Sequence, residues 1–141
     1  MTKSLADISA AGTSIWLDDL SRERMVKNGK ARSLTDLITN EYVVGVTTNP
    51  AIFSASISGS DLYRDEISAL SNSGADAEAI ITALTTSDVR KACDLFMPVY
   101  LGSNGVDGRV SIEVDPRFAR DTSSTLAQAR ELWRSEEHTS E

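Results

Sequence analysis

The sequence predicts an α/β fold built on a parallel sheet, and three stretches carry that reading. Residues 14–18, 43–47 and 109–116 read as strands, with helical spacing in the intervals between them. The first interval is long enough for the crossover of a parallel βαβ unit. Each strand also ends in polar residues: Asp18 after the first, Thr47, Thr48 and Asn49 after the second, Glu113 near the end of the third. In α/β folds the carboxyl ends of strands are where ligands bind, so these groups face the right way for chemistry.

The second strand is the clearest. In Tyr42–Phe53, YVVGVTTNPAIF, the apolar run Val43-Val44-Gly45-Val46 suits a strand covered on both faces. It passes directly into Thr47-Thr48-Asn49-Pro50. Pro50 presets the φ angle of a first helical residue, and Asn49 before it is a good N-cap. A well-capped strand-to-helix turn with no ligand fits the same spacing.

Composition bounds the rest. A chain of 141 residues with 40% hydrophobic content can bury one core. It is too short for a closed eight-stranded α/β barrel, which takes roughly 250 residues. A net charge of −7 offers nucleic acid or an anionic membrane no electrostatic gain. One cysteine excludes an internal disulfide, and one cysteine with one histidine makes no zinc cluster. The opening residues MTKSLADISAAG have no apolar core of signal-peptide length, and no run of about 18 apolar residues occurs, which makes the cytoplasm the default compartment.

Along the chain, Leu5 and Ile8 at helical spacing, with Gly12 as a stop, predict a short first helix. Ile15-Trp16-Leu17 then leads to Asp18 and Asp19. One aspartate of the pair suits capping of the helix near Ser21, and Asp18, directly after the strand, is the better candidate for the mouth of the sheet. Arg22, Glu23, Arg24, Lys27, Lys30 and Arg32 read as a solvated helix face. Ser33-Leu34-Thr35-Asp36 has capping-box spacing.

After the helix begun at Pro50, Tyr63, Ile67 and Leu70 keep helical period up to Gly74, and Ile80, Ile81 and Leu84 begin another helix. Thr85-Thr86-Ser87-Asp88 has the spacing of a restart, and Val89, Ala92, Cys93 and Phe96 form an apolar stripe that makes Cys93 core. Pro98 closes the segment, and Gly102–Gly108 is a turn cluster without a phosphate-binding fingerprint. In the third strand, strict alternation puts Ser111, Glu113 and Asp115 on one face and Val110, Ile112 and Val114 on the other, before a helix from Asp121 to Trp133.

SIWLDDLSR, VVGVTTNPAIF and GRVSIEVDPR resemble the first three strand segments of transaldolase in its actinobacterial form, and the similarity covers Leu5 to Trp133. TTNP paired with a downstream S-x-E-V-D is far more specific than either alone. The resemblance implies the N-terminal portion, about three β/α units, of an incomplete TIM (β/α)8 barrel. It implies transfer of a dihydroxyacetone unit between sugar phosphates, in the non-oxidative pentose phosphate pathway, through a lysine Schiff base with no metal or organic cofactor. By position, Asp18 matches an aspartate that moves the hydroxyl proton during carbon–carbon cleavage. Asn49 matches the asparagine that hydrogen-bonds the dihydroxyacetone hydroxyls, with Thr47 in support. Glu113 matches the glutamate that works through water as acid/base in imine formation, with Ser111 beside it. Imine chemistry needs repeated proton transfers, and two carboxylates on different strands allow two separate proton tasks.

The departure from the family is the nucleophile. The resembled lysine stands on a fourth strand, beyond these residues, and Lys91 falls on a helix with no strand end beneath it. A phosphate-binding arginine is likewise missing, since nothing points Arg109 or Arg117 at phosphate. Residues 134–141, RSEEHTSE, translate AGATCGGAAGAGCACACGTCTGAA, the start of a common sequencing adapter. On that reading residues 1–133 are the barrel part, 134–141 are a non-native tail, and His138 is no catalytic base. An ordinary charged terminus fits the composition too. The alternative function is a non-catalytic α/β module whose polar strand ends bind a phosphosugar.

Overall fold

A computed structural model of the chain describes residues 3–137. Tail residues 138–141, including His138, lie outside the described residues. Three parallel strands, β1 (Ile15–Asp18), β2 (Val43–Thr47) and β3 (Arg109–Val110), lie side by side in sequence order. Seven helices are described: α1 (Lys3–Ala10), α2 (Arg22–Met25), α3 (Leu34–Asn40), α4 (Pro50–Gly59), α5 (Arg64–Asn72), α6 (Ala77–Gly102) and α7 (Thr122–Glu137). No described helix is long and apolar enough to cross a membrane.

The local signals act where the residues place them. Gly12 and Gly74 follow α1 and α5 with φ near +90°, the left-handed region that glycine enters without a Cβ penalty. Ser33 accepts from the Asp36 N–H at the start of α3. Gly108 is held for space as well as angle, because a Cβ there would stand 2.3 Å from the Tyr100 backbone nitrogen. That close approach seats the end of α6 against the turn that leads into β3.

The core lies between the sheet and the helices. Leu20, Leu34, Val43, Val46, Phe53, Val89, Ala92 and Phe96 are buried together, with Ile15, Leu17, Cys93, Val110 and Ile112 packed against them. Cys93 is therefore a packing residue. Lys91 is exposed on α6, away from any strand end.

Three expectations are corrected. The chain does not restart at Thr85-Thr86-Ser87-Asp88, because α6 is continuous through it. Thr85 and Thr86 donate their hydroxyls back to the Ile81 and Thr82 carbonyls, 2.9 and 2.7 Å, one turn earlier, so these side chains serve the helix instead of capping a new one. Pro98 does not close the helix, which runs on to Gly102. Most consequentially, the third strand spans only Arg109–Val110 instead of 109–116. Ser111 N–H still donates to the Val46 carbonyl, 2.9 Å, but β2 ends at Thr47, and no further strand lies beside β3 among the described residues.

The basic cluster also divides. Arg22 is only 8% exposed and makes the centre of a buried polar network, contrary to a solvated face. Its Nε donates to Asp88, 2.8 Å, and its Nη2 to Glu66, 2.6 Å, while the guanidinium lies 4.3 Å from the Tyr63 ring centroid. Tyr63 donates its hydroxyl to the other oxygen of Asp88, 2.7 Å, so the fully buried carboxylate is bonded on both sides. Burial opposes the charge on Arg22, yet hydrogen bonds and ion pairs to Asp88 and Glu66 hold its pKa above the usual arginine value. Burial, and then donation to Asp88, raise that of the Tyr63 phenol.

Candidate active site at the strand ends

Parallel register sets the geometry of the mouth. Asp18 is paired with Thr47 across β1 and β2, one row beyond Leu17 with Val46 and two beyond Trp16 with Gly45. The Thr47 hydroxyl donates to the Asp18 carboxylate, 2.7 Å, so two of the residues singled out by sequence are joined directly. Asp18 is exposed and Thr47 half-buried, which leaves the carboxylate open to a ligand. Asp19 turns aside and pairs with Arg24, 2.5 Å, and does not cap α2.

Asn49 is the N-cap of α4. Its side-chain oxygen accepts from the Ile52 N–H at 2.9 Å. The cap occupies the amide oxygen and fixes the side chain's orientation, so the amide N–H groups are the ones able to meet a hydroxyl. Asn49 also borders a cleft of about 620 Å³ between α2 and α4, whose wall includes Asp19, Glu23, Lys30, Ser56 and Ser60. Asp18, Thr47, Ser111 and Glu113 are not in its lining.

Ser111 comes to the site through Thr48, not Thr47. The Thr48 hydroxyl donates to the Ser111 carbonyl at 2.7 Å, and the Thr48 N–H makes a longer contact with Ser111 Oγ at 3.4 Å. Thr48 is 1% exposed, and the sequence names it among the polar strand ends without giving it a role. Its signal is in the sequence all the same, since adjacent residues at a strand end point to opposite sides. By accepting from the Thr48 hydroxyl, the Ser111 carbonyl is satisfied by a side chain at the point where the ladder stops.

Glu113 is not brought to the group. It lies beyond β3, exposed, with no hydrogen bond or ion pair among the described residues. The reason is the shortness of β3, since strict alternation can aim residue 113 only if pairing continues that far. None of the described lysines stands at a strand end: Lys3 is in α1, Lys27 and Lys30 follow α2, and Lys91 is in α6. No group of three or more His, Cys, Asp or Glu side chains that could hold a metal ion occurs among the described residues.

The chain that carries this parallel sheet matches, over residues 15–139, the protein family described as transaldolase/fructose-6-phosphate aldolase. The chain belongs to this family. Among its relatives, the transaldolase of Mycolicibacterium smegmatis is 54% identical over 131 residues, which are 93% of this chain and 34% of the relative. That of Acidothermus cellulolyticus is 53% identical over 133 residues, 94% of this chain and 35% of the relative. That of Frankia alni is 48% identical over 133 residues, again 94% and 35%. The chain thus spans about a third of the length of the transaldolases it matches, and its small three-stranded sheet accords with a partial β/α barrel of that family.

Proposed function

We propose that the full-length protein is a transaldolase. It transfers a dihydroxyacetone unit from sedoheptulose 7-phosphate to glyceraldehyde 3-phosphate, giving erythrose 4-phosphate and fructose 6-phosphate, through a lysine Schiff base in the cytoplasm. The observation that carries this is the union of the family match with the joined Asp18–Thr47 pair beside an oriented Asn49. Asp18 is the base that takes the hydroxyl proton as the carbon–carbon bond breaks, and the Thr47 hydroxyl fixes the carboxylate that does so. The Asn49 amide donates to the dihydroxyacetone hydroxyls, and Ser111 flanks them. Glu113 serves imine formation as acid/base through water, which requires the third strand to extend past Val110 when a fourth strand pairs with it. Residues 1–133 form the barrel part. Residues 134–141 are foreign to the natural protein, and reading the chromosomal gene through codon 134 tests that division.

The deciding experiment is borohydride trapping with fructose 6-phosphate. The full-length protein gives a stoichiometric covalent adduct on a lysine beyond residue 133, and the 141-residue chain gives none, because none of its described lysines stands at a strand end. An adduct on Lys30 or Lys91 would show the nucleophile misplaced. Full-length protein that binds fructose 6-phosphate without an adduct would be a binding module and not the enzyme.

A further inference from the structure

Asp18 and Thr47 share their face of the sheet with Trp16, a large side chain that the proposed reaction does not use, and with Arg109 of β3, whose guanidinium turns back to the Gly105 carbonyl. Trp16 stands two residues before Asp18 on β1, and its partner across the sheet is Gly45, two before Thr47. Alternate residues of a strand share a face, so Trp16 and Gly45 form the row directly beneath the Asp18–Thr47 pair, deeper by about 7 Å. Ile15 and Leu17, on the other face, pack into the core.

The indole lies flat across the glycine. A Cβ on Gly45 would meet Cδ2 and Cε2, the fused bond of the indole, at 2.5 Å each and Cζ2 at 2.9 Å. An approach through the fused bond is an approach by the ring face. The glycine is therefore needed for space, and β2 contributes no bulk of its own to this row. The ring's other side is open, and Trp16 remains 39% exposed. The result is a partly exposed apolar ring one row below a rim that carries a carboxylate and a hydroxyl.

We infer that Trp16 is the floor of the substrate site, a substrate-contacting residue on which the carbon skeleton of the sugar rests while Asp18, Thr47 and Asn49 hold its hydroxyls. A flat aromatic face complements the C–H side of a polyol and leaves its hydroxyl side to the rim. A ring in that row also keeps water from beneath the reacting carbons. The inference rests on the transaldolase reading. Its rival is that Trp16 serves only as barrel packing against later strands.

The test uses the full-length protein with fructose 6-phosphate as probe and erythrose 4-phosphate as acceptor. Saturating fructose 6-phosphate changes the tryptophan emission of the wild type, and Trp16→Phe removes that change. Trp16→Phe, which keeps a ring, holds KM within about threefold, whereas Trp16→Ala raises KM about tenfold with kcat altered far less, the pattern of a contact made equally in ground and transition states. An active wild type whose emission ignores the sugar phosphate, with KM unmoved in Trp16→Ala, would make Trp16 packing alone and overturn the inference. The emission measurement decides even if Trp16→Ala fails to fold. A wild type with neither turnover nor binding would instead bring down the transaldolase reading, and this floor with it.

Discussion

Thr47 and Thr48 are neighbours in the chain, yet they bond to opposite neighbours in space. Thr47 reaches Asp18 at the end of β1, and Thr48 reaches Ser111 just past β3. Two successive hydroxyls thus fix the separation of three chain segments at the mouth. In the full-length protein, Thr48→Val leaves the shape but strands the Ser111 carbonyl, and unfolding free energy falls by about 1–3 kcal/mol. Thr48→Ser restores most of it. Equal urea midpoints for the valine and serine variants would exclude the bond as the cause. Glu113→Gln tests chemistry instead, lowering turnover by about 10²–10⁴-fold, the range of a general acid/base, with the urea midpoint unchanged. Near-normal turnover would remove Glu113 from the proposed mechanism. At this scale the placement of Asp18, Thr47 and Asn49 was legible because each is a strand's last residue or stands within two of it. Glu113 was read as equally placed, but its position depends on pairing that the described residues do not supply.

Between elements, the Arg22–Asp88–Tyr63 network fastens the segment after β1 to α6 and to the short 3-10 turn Asp61–Tyr63. Removing Asp88 strands two buried donors, Arg22 Nε and the Tyr63 hydroxyl, and leaves Arg22 only its pair with Glu66, so Asp88→Ala in the full-length protein costs about 3 kcal/mol. The double change Arg22→Met with Asp88→Leu recovers most of that, and a double variant no more stable than the single would contradict the account. A second element-scale prediction concerns α7. Hydroxyl donation by Ser124, its N–H, and the Ser123 hydroxyl hold the pKa of the capping Asp121 from the usual 3.8 down to about 2. A depressed carboxylate stabilises the fold fully above its unfolded pKa and loses that contribution as pH falls through the folded one. The cap's contribution is therefore complete above pH 3.8 and disappears toward about pH 2. An NMR titration of Asp121 with an ordinary aspartate midpoint would refute it.

Sequence reasoning found the caps and stops, such as Ser33, Asn49 and Gly74, because their causes lie within a turn of the residue itself. It divided α6 in two because threonine and aspartate carry the same signature at a helix start as inside a helix whose hydroxyls bond backwards. It read Arg22 as solvent-facing because its partner Asp88 is 66 positions away, and nothing local marks such a pair.

For the molecule as a whole, the decisive fact is what the sheet leaves uncovered. Among the described residues neither β1 nor β3 has a second neighbour, and large apolar side chains stand exposed, among them Trp16, Leu101, Val106 and Trp133. A notch of about 240 Å³ between Val110–Val114 and α7 is lined by apolar residues, including Leu132 and Trp133. Open edges and apolar faces are routes to self-association. Sedimentation of the isolated 141-residue chain accordingly shows association that grows with concentration, and a monodisperse monomer at tens of micromolar would contradict this.

The strands are also laid down in the order in which they pair, β1 beside β2 beside β3. On the ribosome such a sheet can grow outward on one side, each new strand docking on the one made before. The free side of β1 gains nothing from this growth and finds a partner only when a barrel closes. In a protein the length of these relatives, of which this chain is about a third, roughly 250 residues would still be to come. At about 5–20 residues per second that leaves the first edge bare for tens of seconds. Asp18, exposed on that edge, would then be the charge that deters a stray strand from pairing there during synthesis.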